Sequence, residues 1–71
     1  MSNAMIGQRL RDLRGDTPRA EVADAVGISI SALTMYETGQ RVPRDQIKVK
    51  LAEFYDSTVQ DIFFTPELHS S

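Results

Sequence analysis

Glycine and proline divide this chain into segments that have room only for short helices. An apolar pattern at positions i, i+4 and i+7 begins at Ile6 and stops at Gly15, and a second pattern begins at Val22 and stops at Gly27. Pro43 precedes a third pattern, and proline favours the first position of a helix. These boundaries predict a succession of short helices rather than strands.

Two capping signals add further boundaries. Thr17-Pro18 is typical of a cap followed by proline at the first helical position. Thr58-Val59-Gln60-Asp61 resembles a capping box that opens a last short helix carrying Ile62 and Phe63. No segment predicts a strand, so the fold class is all-α, a compact bundle of four or five helices.

The length and the residue types limit what this bundle can contain. Seventy-one residues make one small domain, which buries only about 60% of the surface that its unfolded chain exposes. There is no cysteine, which excludes disulfides and thiolate metal sites. No cofactor or metal site is predicted, and the only histidine, His69, lies in a polar segment without a catalytic partner. We therefore expect no enzyme activity.

The two ends of the chain are set apart from the predicted domain. Ser-Asn-Ala before a second methionine is typical of a cloning remnant, so residues 1–4 are left out of the domain, which spans 5–64. Residues 65–71 form a polar tail that we expect to fray. No apolar run approaches the ~18 residues of a membrane helix, and no signal peptide is visible, which favours a cytoplasmic protein without membrane contact.

Charge is distributed unevenly along the chain. The formal net charge is −2, which by itself argues mildly against a nucleic-acid partner. All eight Lys and Arg residues, however, lie between Arg9 and Lys50, whereas the segment from Leu51 onward has four acidic residues and no Lys or Arg. The distribution therefore fits a weakly basic working surface with an acidic C-terminal end.

The segment 28–37 begins with strand-like alternation, but its residues fit the start of a helix. Ser29 is a good N-cap, and Ile28 and Leu33 are spaced as a hydrophobic staple around it. A second face of the same predicted helix has no lysine, arginine or glutamate, which indicates a surface kept for a partner. Its residues are Ile30, Ser31, Thr34, Met35 and Thr38.

The spacing of Ala23, Gly27 and Leu33 is that of a helix-turn-helix, in which the alanine allows close helix contact and the glycine takes the turn. The chain as a whole resembles the Cro and lambda-repressor-like (Xre family) DNA-binding domains. The resemblance covers residues 6 to about 64 and is carried by "IGQRLRDLR", "EVADAVGIS", "YETGQRVP", "LAEFY" and "VQDIFF".

This resemblance implies a lambda-repressor-like bundle whose third helix, about residues 29–37, reads the major groove of double-stranded DNA. The expected base contacts are Ile30, Ser31, Thr34 and Met35. The expected phosphate contacts are Arg19, Ser29, Thr38, Arg41 and Arg44. The family also implies a structural ion pair between Arg14 and Glu37.

Two departures from the family pattern affect these expectations. Pro18-Arg19 replaces the usual Ser/Thr-Gln, so an arginine takes the place of a phosphate-binding glutamine and cannot brace a neighbouring glutamine on the third helix. The third helix also lacks long bidentate side chains. Hydroxyl and apolar groups favour single hydrogen bonds and thymine methyl groups, so we expect specificity that depends on thymine and on DNA shape.

Several alternatives stay open at the level of sequence. Ile30 and Met35 are either DNA-facing or core residues, Ser29 is either a cap alone or also a phosphate contact, and Arg41 and Arg44 are either phosphate contacts or ordinary surface charges. The predicted function is a sequence-specific transcriptional regulator, a repressor that binds a palindrome as a homodimer through the region of Ile62, Phe63 and Phe64, with Phe63 either part of that surface or a core residue. The alternative is a protein-binding module, such as an antitoxin or an accessory regulatory subunit.

Overall fold

The computed structural model describes residues 2–64, which form five α-helices and no strand. The helices are α1 (Asn3–Arg14), α2 (Arg19–Val26), α3 (Ile30–Glu37), α4 (Asp45–Phe54) and α5 (Val59–Phe63). The all-α fold class is confirmed. The predicted polar tail, residues 65–71, lies outside the described residues.

The core lies where all five helices meet. Leu10, Leu33 and Leu51 are completely buried, and α5 contributes Ile62 and Phe63. Helix α1 packs on α3 and α5, while α2 packs on α3 and α4. Because α3 contacts both α1 and α2, the position of α3 is defined by two neighbours.

The turn between α2 and α3 follows the prediction from the sequence. Gly27 ends α2 with φ 85° and ψ 33°, a left-handed conformation that glycine adopts without steric cost. The amides of Gly27 and Ile28 both donate to the carbonyl of Ala23, at 2.8 and 2.9 Å. These bonds satisfy the end of α2 and direct the chain into α3.

Two predicted helix starts are shifted. Helix α2 begins at Arg19 with Pro18 at the cap, one residue later than predicted. Helix α4 begins at Asp45 with Arg44 at the cap, whereas the sequence placed Pro43 at the first helical position. Pro43 is fully buried, so its ring packs into the core ahead of the helix instead of opening it.

Helix α1 extends further towards the N-terminus than the predicted domain. Ser2 caps it by accepting the amide of Met5 at 3.2 Å, and Asn3 and Ala4 form its first residues. The predicted apolar face is also narrower than expected, because Leu13 is mostly outside the core and exposed.

Candidate nucleic-acid interface

The start of α3 is fixed by a cap and a staple. The Ser29 hydroxyl accepts the amide of Ala32 at 3.0 Å. Ile28, just before the cap, packs against the core cluster that contains the fully buried Leu33. Together these contacts set the direction in which the chain enters α3.

Helix α3 has an inner and an outer face. Leu33 and Tyr36 are buried, whereas Ser31 is exposed and the side chain of Ile30 is 51% exposed. Ile30 is therefore a surface residue, and the alternative that placed it in the core does not describe this structure. Met35 is half-buried, so its burial alone does not assign it to either face.

The threonines of the outer face use their hydroxyl hydrogens within the helix. Thr34 Oγ1 donates to the carbonyl of Ile30 at 3.0 Å, and Thr38 Oγ1 donates to the carbonyl of Thr34 at 2.9 Å. What these side chains still offer to a partner is a methyl group and an oxygen lone pair. Ser31, by contrast, makes no side-chain hydrogen bond within residues 2–64.

The other end of α3 is held by a buried carboxylate. Glu37 is completely buried, and its two oxygens accept hydrogen bonds from two arginines on different helices. Arg14 Nε lies 2.7 Å from Oε2 and its Nη2 lies 3.1 Å from Oε1, while Arg19 Nε lies 2.9 Å from Oε1. The family resemblance implied an ion pair of Glu37 with Arg14, and it implied only a phosphate contact for Arg19.

Two residues of α1 complete this end of α3, and sequence reasoning missed both. Arg11 Nη1 donates to the main-chain carbonyl of Glu37. Gly7 lies directly against the same carbonyl, because a Cβ at this position would lie 2.8 Å from the carbonyl carbon. A glycine inside a helix is a recognisable signal of close packing, and Gly7 stands inside the apolar pattern of α1.

Burial and charge around Glu37 change two pKa values. The hydrogen bond with Glu37 raises the pKa of Arg14 above its already high value. Burial, and then the negative charge of Glu37, raise the pKa of Tyr55 to about 12, against an opposing effect of Arg14. The Tyr55 hydroxyl is buried and has no hydrogen-bond partner among the described residues.

The remaining predicted phosphate ligands lie on the surface. Thr38, Arg41 and Arg44 are exposed, and neither of the two arginines makes a side-chain hydrogen bond within residues 2–64. The amide of Arg41 donates to the carbonyl of Met35 at 3.3 Å, so Arg41 follows closely on the end of α3. Arg44 lies at the cap of α4.

The predicted dimer surface is mostly buried within one chain. Ile62 and Phe63 belong to the core and are not available to a partner, which corrects that part of the prediction. Phe64 is half exposed, and its ring and that of Phe63 lie under the ammonium of Lys48, 5.7 and 5.6 Å from the ring centres. Arg9 Nη1 donates to the carbonyls of Asp61 and Phe64, at 2.8 and 3.2 Å.

Within residues 2–64 the structure has no cluster of His, Cys, Asp and Glu able to hold a metal ion. No helix in that same part of the chain combines the length and the apolar character that crossing a membrane requires.

Comparison with known proteins identifies the same arrangement elsewhere. A family described as a helix-turn-helix domain matches residues 6–62. The restriction-modification controller protein C.AhdI from Aeromonas hydrophila has a similar structure, with a TM-score of 0.79 and 30% identity over 86% of this chain and 96% of that one.

Two other solved structures share the fold. A chain of the SinR protein/SinI protein complex matches with a TM-score of 0.76 and 28% identity, over 92% of this chain and 64% of that one. The clp gene regulator ClgR from Corynebacterium glutamicum matches with a TM-score of 0.77 and 22% identity, over 84% of this chain and 66% of that one. A search of curated proteins finds no significant match.

Proposed function

Because this chain belongs to the lambda-repressor-like (Xre) family of helix-turn-helix transcription regulators, we propose that it is a sequence-specific repressor that inserts α3 into the major groove. The observation that carries the proposal is the outer face of α3. Ile30 and Ser31 are exposed there, and the only charged residue of the helix, Glu37, is buried at its far end. A solvent-facing helix normally carries charges, whereas a face that meets base edges does not need them.

The chemistry of this face favours thymine. Ile30, Met35 and the methyl group of Thr34 suit the C5-methyl group that thymine presents in the major groove. The hydroxyl hydrogens of Thr34 and Thr38 are already used by helix carbonyls, which leaves Ser31 as the free hydroxyl. No side chain of the face supplies a bidentate donor for guanine, so DNA shape supplies the rest of the specificity.

Phosphate binding is assigned to residues around this face. Arg41 and Arg44 are exposed without side-chain partners in the described chain, and Arg19 is partly exposed. Ser29 and Thr38 lie at the two ends of α3. Contacts of these residues with the DNA backbone would fix the register of α3 on the duplex.

One domain of this kind covers half of a palindromic operator, so we propose that a homodimer binds two half-sites whose centres are ~34 Å apart. Phe64 and Val49 remain exposed and are the apolar residues we assign to the contact between protomers. Sedimentation of the protein alone and with duplex should give the mass of two chains per duplex. A strict one-to-one complex would remove this part of the proposal.

The test of the function is fluorescence anisotropy at low and physiological salt. The protein is titrated into duplex DNA from upstream of its own gene and into a scrambled duplex, and a random-sequence selection is used where the upstream fragment is not preferred. We expect preferred binding that survives physiological salt and weakens when thymine in the half-site is replaced by uracil, which lacks the methyl group. A G-rich half-site centre would contradict the proposed chemistry, and absence of any preferred sequence would contradict the function.

A protein-binding role, as an antitoxin or an accessory regulatory subunit, is the second candidate. It is favoured by the net charge of −2 and by the similarity to a chain that was solved in the SinR protein/SinI protein complex. Arg41→Gln and Arg44→Gln separate the two roles. A DNA reader should lose affinity across all sequences and show a shallower salt dependence, whereas a protein-binding module should keep its affinity for its partner.

A further inference from the structure

We infer that Arg19 is a positioning residue that links one DNA phosphate to the placement of α3 through the carboxylate of Glu37. This inference rests on the proposed function, and it assigns to Arg19 a second role beside phosphate binding. A plain phosphate ligand adds affinity for any duplex. Arg19, held by Glu37, should add more affinity for the correct sequence than for others.

The charges around the Glu37 carboxylate do not balance. One carboxylate accepts hydrogen bonds from two guanidinium groups, so the group of three side chains carries a surplus positive charge. Arg14 already gives the carboxylate a bidentate partner through Nε and Nη2, and this is the geometry that best compensates a buried carboxylate. Arg19 is therefore not needed to neutralise Glu37.

The surplus positive charge is accessible on Arg19 rather than on Arg14. The Arg14 side chain is 17% exposed, and its Nη1 donates to the carbonyl of Thr17 at 3.0 Å, so all three of its nitrogens have partners. The Arg19 side chain is 37% exposed. Only its Nε has a partner within residues 2–64, which leaves both terminal nitrogens to an external anion.

The shape of the Arg19 guanidinium group lets it bind two anions at once. Its donors form a planar fork, so one edge can bind Glu37 while the terminal nitrogens bind a phosphate oxygen. Lysine has a single compact charge and cannot hold two anions in fixed geometry. Arg19→Lys therefore keeps the charge and removes the bridge.

The bridge through Arg19 acts on the placement of α3. Glu37 is the last residue of α3, and its main-chain carbonyl is held by Arg11 and packed on Gly7. The carboxylate is thus fixed relative to Ile30 and Ser31 at the other end of the helix. A phosphate bound to Arg19 is then held at a defined place relative to the base-contacting side chains, and correct register strengthens both contacts together.

The experiment compares Arg19→Gln and Arg19→Lys with the matched control Arg44→Gln. Arg44 is exposed and has no side-chain partner in the described chain. Each variant is titrated over a series of salt concentrations into the duplex that the wild-type protein selects from a random-sequence library and into a scrambled duplex. Thermal unfolding of each variant accompanies the titrations, and folding is expected because Arg14 still pairs with Glu37.

We expect Arg19→Gln to weaken binding to the selected duplex roughly tenfold and to the scrambled duplex about threefold, and to reduce the salt slope by about one. Arg19→Lys should keep the salt slope and still lose preference for the selected duplex. Arg44→Gln should weaken both duplexes by the same factor. In a Glu37→Gln background, replacing Arg19 by Lys should no longer change the preference.

Equal losses on both duplexes for Arg19→Gln would overturn the inference and make Arg19 an ordinary phosphate ligand. An unchanged salt slope would show that Arg19 meets no phosphate and would overturn it as well. Both outcomes leave the proposed function intact, because the wild-type protein would still prefer its selected duplex. A wild-type protein that selects no sequence would instead contradict the proposed function itself.

Discussion

The two ends of α3 are built from opposite kinds of side chain. Its first residues, Ile30 and Ser31, are uncharged and exposed, and the Ser31 hydroxyl makes no hydrogen bond within residues 2–64. Its last residue, Glu37, is charged and buried, and it contacts side chains from both α1 and α2. One end is thus available to a ligand while the other end positions the helix.

The comparison shows how a small domain separates placement from recognition. A helix that reads bases needs a fixed position, but its base-contacting side chains must be neither buried nor paired within the domain. Charge at the buried end supplies directional contacts to neighbouring helices, which apolar packing does not. The exposed end can then change its side chains without loss of the fold.

The largest effect is expected when the buried end loses its charge. Glu37→Ala leaves two guanidinium groups without their carboxylate and should destabilise the domain by about 3 kcal/mol, at the low end for a broken buried ion pair because both arginines are partly exposed. Thermal unfolding should show a fall of more than about 10 °C. Glu53→Ala, at an exposed carboxylate of α4, is the control. A melting temperature close to that of the control would show that the ion pairs do not hold α3.

A smaller effect is expected when the packing of α1 on this end is disturbed. In Gly7→Ala the new Cβ clashes with the main-chain carbonyl of Glu37, which cannot yield as a flexible side chain does. The overpacking should outweigh the gain of about 1 kcal/mol in helix propensity and give a net loss of about 2 kcal/mol in urea unfolding. Leu13→Ala, at an exposed position of the same helix, should change stability less. A stabilised Gly7→Ala variant would mean that α1 and α3 are further apart.

A substitution at the exposed end of α3 is expected to change DNA binding rather than stability. Ile30→Ala should leave the free energy of unfolding within about 0.5 kcal/mol of the wild type, because the side chain is a surface one. It should weaken binding to the selected duplex about fivefold through lost apolar contact, measured by anisotropy. Met5→Ala, at an exposed apolar position of α1 away from the proposed DNA and dimer contacts, should change neither stability nor affinity. A large loss of stability in Ile30→Ala would place this residue in the core.

The smallest effect at neutral pH is expected at Tyr55, beside the buried end. Tyr55→Phe removes a buried hydroxyl that has no partner among the described residues, so stability should be unchanged or higher by about 1 kcal/mol. The difference should become visible in alkali. The pKa of Tyr55 is about 12 in the folded chain and 10.0 ordinarily, so between these values the folded state keeps a proton that the unfolded state has lost.

The sign of the pH effect follows from this proton. The ionisation of Tyr55 does not change stability below pH 10, and it lowers stability as the pH rises from 10 towards 12. Tyr55→Phe lacks this contribution and should lose less stability over the same range, measured by urea unfolding of both proteins. Parallel stability curves for the two proteins would show that the hydroxyl is solvated in the folded state.

The fold was predictable from the sequence because its signals are local. Gly27, the cap at Ser29 and the staple of Ile28 with Leu33 act within a few residues, and each lies where the sequence placed it. The family was predictable for a related reason, since several short motifs occur in the same order over residues 6–62. The roles of the predicted DNA contacts stay predictions.

The errors arose where local signals compete with packing. Pro43 had the signal of a helix start, but burial of its ring delays the helix to Asp45. Ile62 and Phe63 looked like a surface for a second copy, but a domain this small uses them for its own core. The neighbouring residues alone do not predict the late start of α4 or the burial of Ile62 and Phe63, because both depend on which apolar groups the other helices leave uncovered.

The sequence by itself determined the all-α fold class, the turn at Gly27, the family and the absence of charge on the outer face of α3. The family resemblance already implied the pair of Arg14 with Glu37, but only the tertiary structure decided that Arg19 and Arg11 also meet Glu37, because they lie 18 and 26 residues away along the chain. Local propensity cannot fix such pairings. They form when α1 and α2 pack on α3, which brings Arg14 and Arg19 to the buried carboxylate of Glu37 and Arg11 to its main-chain carbonyl. The cost of removing the carboxylate from water makes the two partners of that carboxylate necessary.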